Sequence, residues 1–166
     1  MPNMQQLINM DNKKKLGETE NPDPSPCNCR DRNSCPLDGK CRTKNVIYQA
    51  EVKSDSGKET YIGLTSNEFK TRYNNHKSTF RHNKNRFSTE LSKHIWDLKD
   101  NNKQFEISWK IICKAKPYSN VTKRCNLCNA EKYYIVCKPQ LATLNKRSEL
   151  VRKCIHKQGY LIGNVT

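Results

Sequence analysis

An α+β domain is predicted, a small antiparallel sheet of three strands with helices around it, and three observations predict it. First, "VIYQAEV" sets Ile47, Gln49 and Glu51 in alternation with Val46, Tyr48, Ala50 and Val52, the period-two signature of a strand. "SDSG" then turns the chain and "KETYIGL" returns it, so residues 46–64 read as a β-hairpin. Second, "FEISWKIICKA" alternates Phe105, Ile107, Trp109 and Ile111 toward one side, a third strand. Third, the intervening segments carry helical signals. Ser66 or Asn67 can cap a helix running to about residue 80, and Ser88 or Thr89 can cap "ELSKHIWDLKD", whose Leu91, Ile95 and Leu98 form one stripe.

The remaining chain follows from composition. With 166 residues there is material for one ordinary domain and a tail. Residues 1–26 are polar, include a Lys triplet and the Pro-spaced "NPDPSP", and read as a disordered tail or linker that cannot bury enough apolar surface to offset its ordering entropy. Residues 27–45 begin with a Cys-rich stretch, "CNCRDRNSCPLDGKCR", and residues 46–157 form the folded domain. Its last part reads as a helix over about 123–137, a loop, and a short basic helix over about 146–157; residues 158–166 are a terminal tail.

Charge narrows the function. The chain carries a net charge of +15, and residues 46–166 alone hold 23 Lys and Arg against 10 Asp and Glu, a net +13. A polyanion is the natural partner of such a surface, with double-stranded DNA the expected one. The hydrophobic fraction is 34%, with no apolar run near the ~18 residues a membrane span needs, so a membrane is not the expected partner. The N-terminus lacks an apolar signal core, and the expected location is the nucleus or cytoplasm, not secretion. Nine cysteines in a reducing compartment then read as metal ligands where clustered and as small packed thiols where scattered. Cys113, Cys137 and Cys154 each stand alone and read as buried or half-buried thiols. Cys125 and Cys128, a C-x-x-C, supply half a metal site or simply pack.

The residues that carry chemistry lie on and after the hairpin. Arg72 and His76 are one helical turn apart, so both project to one side. "FKTRYNNHKSTFRHNKNRF" contributes Lys70, Lys77, Arg81, Lys84 and Arg86 beside Arg72, without an acidic residue, and reads as a DNA-contacting strip that neutralises phosphates without reading bases. The interleaved Tyr73, Phe80 and Phe87 read as core contacts. In "RCNLCNAEKYYIVC", a helical reading stacks Leu127, Glu131 and Ile135, which puts a carboxylate into an apolar stripe where it needs a partner or a metal. Glu90 is the competing carboxylate, but its place at a helix start is explained by the helix dipole.

"VIY" at 46–48 and "YIG" at 61–63, on paired strands and followed by "RYNNH", resemble the GIY-YIG endonuclease family. The likeness runs over about residues 46–150 and departs from the first tripeptide at Val46, in place of Gly. "CPLDGKC", "TELSKHIWDLK" and "LNKRSELVRKC" are similar to the endonuclease module of Penelope-like retroelements, which follows a reverse transcriptase. The resemblance implies a GIY-YIG nuclease-like fold and metal-dependent phosphodiester hydrolysis. In it Tyr48 handles the nucleophilic water, Tyr61 holds the geometry and Arg72 binds phosphate. His76 accepts a proton or touches phosphate, Glu131 ligates Mg2+ or Mn2+, and Asn145 orients the metal site or backbone. It also implies that DNA nicking primes reverse transcription within one polyprotein.

A structural zinc is expected as well. Cys27, Cys29, Cys35 and Cys41 would make a four-thiolate knuckle, although the single residue between Cys27 and Cys29 is tight. The retroelement resemblance instead implies Cys35 and Cys41 with His82 and His94, and that set is favoured. A nonenzymatic zinc-bearing nucleic-acid-binding module and a nuclease relic are the alternative readings.

Overall fold

The computed structural model describes residues 3–16, 25–116, 124–146 and 154. Three antiparallel strands, β1 (Val46–Ser54), β2 (Gly57–Thr65) and β3 (Phe105–Lys114), are ordered β2-β1-β3. The fold is the α+β arrangement that the sequence predicts. The hairpin pairs Val46 with Thr65 through to Ser54 with Gly57, closed by Asp55 and Ser56. A register shift between Ile47 and Tyr48 interrupts the pairing of β1 with β3.

β1 is central, so both its edges are paired, and helices cover both its faces. Val46, Tyr48, Ala50 and Val52 point into a core with Phe69, Leu91, Ile95 and Leu98 of α2 (Phe69–Arg81) and α3 (Glu90–Asp100), and Phe105, Ile107, Trp109 and Ile111 of β3 join it. Ile47 and Ile62 point the other way, onto Leu127 and Ile135 of α4 (Asn126–Cys137). The period of two thus decides which helix each strand residue meets. Gln49, buried on the α4 side, donates to the Leu141 carbonyl at 2.9 Å, so its amide is not left unpaired.

The helix ends show where local signals hold. Thr89 caps α3 by accepting the Ser92 N–H, and the Ser92 hydroxyl accepts the Thr89 N–H in return, a reciprocal box. For α2 the expected Ser66 or Asn67 cap is replaced. Its first N–H groups are taken by backbone carbonyls of the Cys-rich stretch: Phe69 N–H to Thr43 at 3.0 Å and Lys70 N–H to Cys41 at 2.7 Å. A salt bridge from Arg42 to Glu68 at 3.2 Å adds to the same joint. These partners come from about 26 residues upstream, beyond the reach of a local capping rule.

Three further expectations change. Within residues 1–26, read as a disordered tail, Met4–Leu16 forms a helix, α1. It carries exposed Met4, Leu7 and Met10. Phe87, read as a core contact, is 75% exposed with the Arg86 guanidinium over its ring, whereas Tyr73 and Phe80 do pack against the core. Cys137, read as buried or half-buried, is exposed, while Cys113 is half-buried as expected. The basic helix expected at 146–157 and the tail at 158–166 lie, apart from Lys146 and Cys154, outside the described residues. Among the described residues, no helix is long and apolar enough to cross a membrane.

Candidate active site and metal centres

Chain positions far apart meet beside β2. A cavity of about 530 Å³ is lined by Tyr61, Gly63 and Thr65 of β2, by Arg72, Asn75 and His76 of α2, and by Cys128, Glu131 and Lys132 of α4. Further along the same edge of β2, Thr143 to Asn145 close the strand. Thr60 N–H donates to the Thr143 hydroxyl at 2.8 Å, and Asn145 brackets Ile62, accepting its N–H at 2.7 Å and donating to its carbonyl at 2.9 Å. Asn145 therefore acts on the backbone of the strand carrying Tyr61 and Gly63, the second of the two roles expected of it. It does so as a strand neighbour would, by satisfying an edge residue's donor and acceptor together.

Behind the cavity wall lies a hydrogen-bonded triad. Tyr48 is fully buried and does not line the cavity itself. Its hydroxyl accepts from Arg72 Nε at 3.2 Å and lies 2.7 Å from His76 Nε2. Arginine has no acceptor, so Tyr48 takes that bond as acceptor and has its own proton to give to Nε2; His76 is then neutral with its proton on Nδ1. Burial and the Arg72 charge together push the His76 pKa down to about 3, which agrees with this assignment. Burial works against the Arg72 charge too, but Tyr48 and Tyr61, both hydrogen-bonded to it, outweigh burial and raise its pKa.

The second tripeptide gains a physical reason. A Cβ on Gly63 would overlap the Tyr48 hydroxyl and ring, so the phenol lies flat against the bare backbone of β2. That contact is why Gly follows Tyr61-Ile62 here, and it seats the Tyr48 hydroxyl between α2 and β2. Val46 is fully buried in the core.

Of the two carboxylates weighed, Glu131 faces the cavity, half-buried between the fully buried Leu127 and the buried Ile135. Glu90 instead pairs with Lys146 at 3.4 Å. Lys132, Asn75 and Cys128 also line the cavity, and no pattern in the sequence singled out the first two. Their signal was adjacency to Glu131 and His76, with which they share a helix turn. In the basic strip, Arg81 and Lys84 are exposed. Lys70 bonds Asn28 at 2.6 Å, and Lys77 sits over the Tyr73 ring. Arg86 is spent on α3, paired with Asp100 at 2.7 Å and Asp97 at 3.4 Å, which leaves its guanidinium engaged instead of facing outward for phosphate.

The cysteines correct the favoured zinc set. Sulfur atoms of Cys27, Cys29, Cys35 and Cys41 all lie within 4.8 Å of one another, Cys41 being 3.5 Å from Cys27 and 3.7 Å from Cys29. A tetrahedron with Zn–S bonds of ~2.3 Å has edges of ~3.8 Å, so these four thiols fit zinc as they stand. His82 and His94 do not join them. The Cys-rich stretch sits at the N-terminus of α2, whereas exposed His82 follows its C-terminus, a helix of 13 residues or ~20 Å away. His94 lies on α3, its Nε2 buried and without a hydrogen-bond partner among the described residues.

Burial raises the Cys35 pKa. The N–H groups of Leu37 and Gly39, with the thiols of Cys27 and Cys41, more than offset it and bring it down to about 6. Burial and its neighbouring thiols push Cys41 up to about 12. One thiolate is thus stabilised within the cluster, and a dication would stabilise the others. Cys154, read as solitary, is corrected likewise: its sulfur lies within 4.8 Å of those of Cys125 and Cys128. Both cysteine groups fit a metal such as zinc.

No protein-family model matches the sequence, and neither a curated protein nor a solved structure matches it. The likeness to GIY-YIG endonucleases stands on the residues quoted for it.

Proposed function

We propose that the protein is a metal-dependent DNA endonuclease that hydrolyses one strand's phosphodiester bond at the β2 cavity. The observation that carries this reading is the convergence of Tyr61, Arg72, His76 and Glu131, from three separate segments, on one cavity. Phosphodiester hydrolysis needs a positioned water, cations on the phosphoryl oxygens, and stabilisation of the leaving 3'-oxygen. Arg72 offers a planar fork for two phosphate oxygens, and Lys132 adds a second charge at the same cavity. Glu131 is a hard oxygen donor among hydroxyls and cations, which suits Mg2+ or Mn2+ completed by water and phosphate oxygens. When bound there, such a cation supplies the charge that offsets the departing oxygen.

The burial pattern supports a division between the tyrosines. Tyr61 stands at the wall and is assigned contact with the attacking water. Tyr48, behind it, is a positioning residue that holds Arg72 and neutral His76 in register. Arg81 and Lys84, exposed on the adjoining strip, grip the duplex backbone, so binding weakens steeply with salt. Within the retroelement resemblance, the nick would prime a reverse transcriptase.

A supercoiled-plasmid nicking assay with Mg2+ or Mn2+ tests the reading, using wild type, Glu131→Ala and Arg72→Ala, each checked for folding by circular dichroism. The expected result is wild-type nicking reduced by about 100-fold or more in both variants. Folded wild-type protein that binds DNA without nicking it would instead establish a binding module or relic. Activity surviving Glu131→Ala would move the metal ligand elsewhere.

A further inference from the structure

Cys125 and Cys128 begin α4, and Cys154 reaches them from beyond the β2-edge segment. The Cys125 side chain accepts the Cys128 N–H at 3.4 Å and so serves as the helix's N-cap. Cys125 is buried, Cys128 and Cys154 are half-buried, and the surroundings are apolar: Ile47, Ile62, Leu127 and Ala142 belong to the same cluster. Three thiols packed into an apolar cluster are poor hydrogen-bonding partners for one another. The same three sulfur atoms are good ligands for a soft-accepting dication.

The two sequence offsets matter as much as the distances. Two residues separate Cys125 from Cys128, the spacing by which one turn presents two thiolates to one ion, and Cys154 closes a long loop onto them. Cys128 also lines the β2 cavity, three residues before Glu131 on the same helical face. Whatever fixes Cys128 therefore fixes the carboxylate one turn on.

The geometry points to a second zinc site made by Cys125, Cys128 and Cys154, separate from the four-thiolate knuckle, which clamps the first turn of α4 and thereby sets the position of Glu131. Three protein thiolates leave one coordination position for water or another donor. The ion is a brace, and Cys125, Cys128 and Cys154 are positioning residues. The functional half of the proposal rests on the nuclease reading of Glu131; the metal half does not.

The test begins with zinc stoichiometry of the full-length wild-type chain by plasma mass spectrometry, with thiol alkylation mapped by mass spectrometry before and after chelation. Two zinc ions per chain are expected. Cys125, Cys128 and Cys154 should resist alkylation until the chelator is added, while exposed Cys137 reacts at once. Cys154→Ser should retain one zinc, keep the knuckle cysteines protected, and lose at least tenfold in nicking with DNA binding unchanged. Cys154→His, which restores a ligand, should recover the second ion and most of the nicking.

One zinc per wild-type chain, or early alkylation of all three thiols, overturns the site even if Cys154→Ser fails to fold. Two zinc ions with full nicking in a one-zinc Cys154→Ser overturns the brace. If the wild type never nicks, the stoichiometry and protection pattern still decide the metal half, so the two failures are distinct.

Discussion

The two helices that flank the cavity are held in different ways. α2 is fixed at both its backbone and its side chains. Carbonyls of Cys41 and Thr43 cap its start, Arg42 pairs with Glu68, and Arg72 and His76 are tied through the Tyr48 hydroxyl. α4 has fewer such ties in its first turn: the Leu127 N–H donates to the Lys116 carbonyl just past β3 at 3.1 Å, and the helix is otherwise seated by Leu127 and Ile135 and by a cap that is itself a thiol. Hydrogen bonds are directional and pin orientation, whereas apolar burial fixes only that a face is covered. The wall that carries Arg72 and His76 is thus tied by several directional bonds, and under the proposed second zinc site the wall that carries Glu131 depends on what Cys125, Cys128 and Cys154 hold.

Breaking the α2 joint gives the largest expected effect. With zinc in the four-thiolate knuckle, Cys41→Ser removes a fully buried ligand and loosens the stretch whose carbonyls cap α2, at a cost of several kcal/mol or more given the ~10–16 kcal/mol apparent binding energy of structural zinc. The check is zinc content together with thermal unfolding: a folded Cys41→Ser protein retaining the wild-type melting temperature would dissolve the contrast between the two helices.

Gly63→Ala attacks the same wall from β2. The new methyl must displace a Tyr48 ring that is buried and hydrogen-bonded, for a loss of about 3 kcal/mol measured by urea unfolding. The His76 titration gives the next effect. Its pKa is held near 3 in the folded state against an ordinary 6.5, so between those values the unfolded chain binds the proton and the folded one does not. Stability then falls as pH falls, by about 2 kcal/mol between pH 7 and pH 5 from this group alone. In His76→Gln that part of the slope should vanish; an unchanged slope would mean that His76 is not the buried neutral partner of Tyr48.

Asn145→Ala gives the smallest loss, about 1 kcal/mol, the net worth of part-buried hydrogen bonds to one residue of an edge strand. Under the proposed function its effect on nicking should exceed its effect on stability, since Tyr61 and Gly63 sit on the bracketed strand. Equal, small effects on both would confine Asn145 to edge protection.

How much was legible beforehand depends on the range of the interaction. The hairpin followed from alternation between Val46 and Val52 and from the turn, the inward side of β3 from Phe105 to Ile111, and the α3 start from Thr89, all interactions among near neighbours in sequence. The α2 cap was misplaced because its partners are carbonyls, which any residue carries and no pattern marks. The zinc set was misassigned for a related reason. Cys35 and Cys41 were identified, but which other donors meet them depends on which end of α2 the knuckle docks against. Arg86 and Phe87 read as a DNA contact and a core residue; the acids of α3 engage the Arg86 guanidinium, and the loop's placement leaves Phe87 exposed.

The sequence by itself determined the strands, their alternation and the basic surface, because period and charge are properties of residues taken in order. It also marked Tyr61, Arg72, His76 and Glu131 one by one. Only the tertiary structure decided that these four share a cavity while Tyr48 stands behind it, and that seven cysteines form two groups. Those outcomes hinge on how helices dock on the two faces of one strand. Docking is chosen by the summed burial of many side chains and not by any local signal.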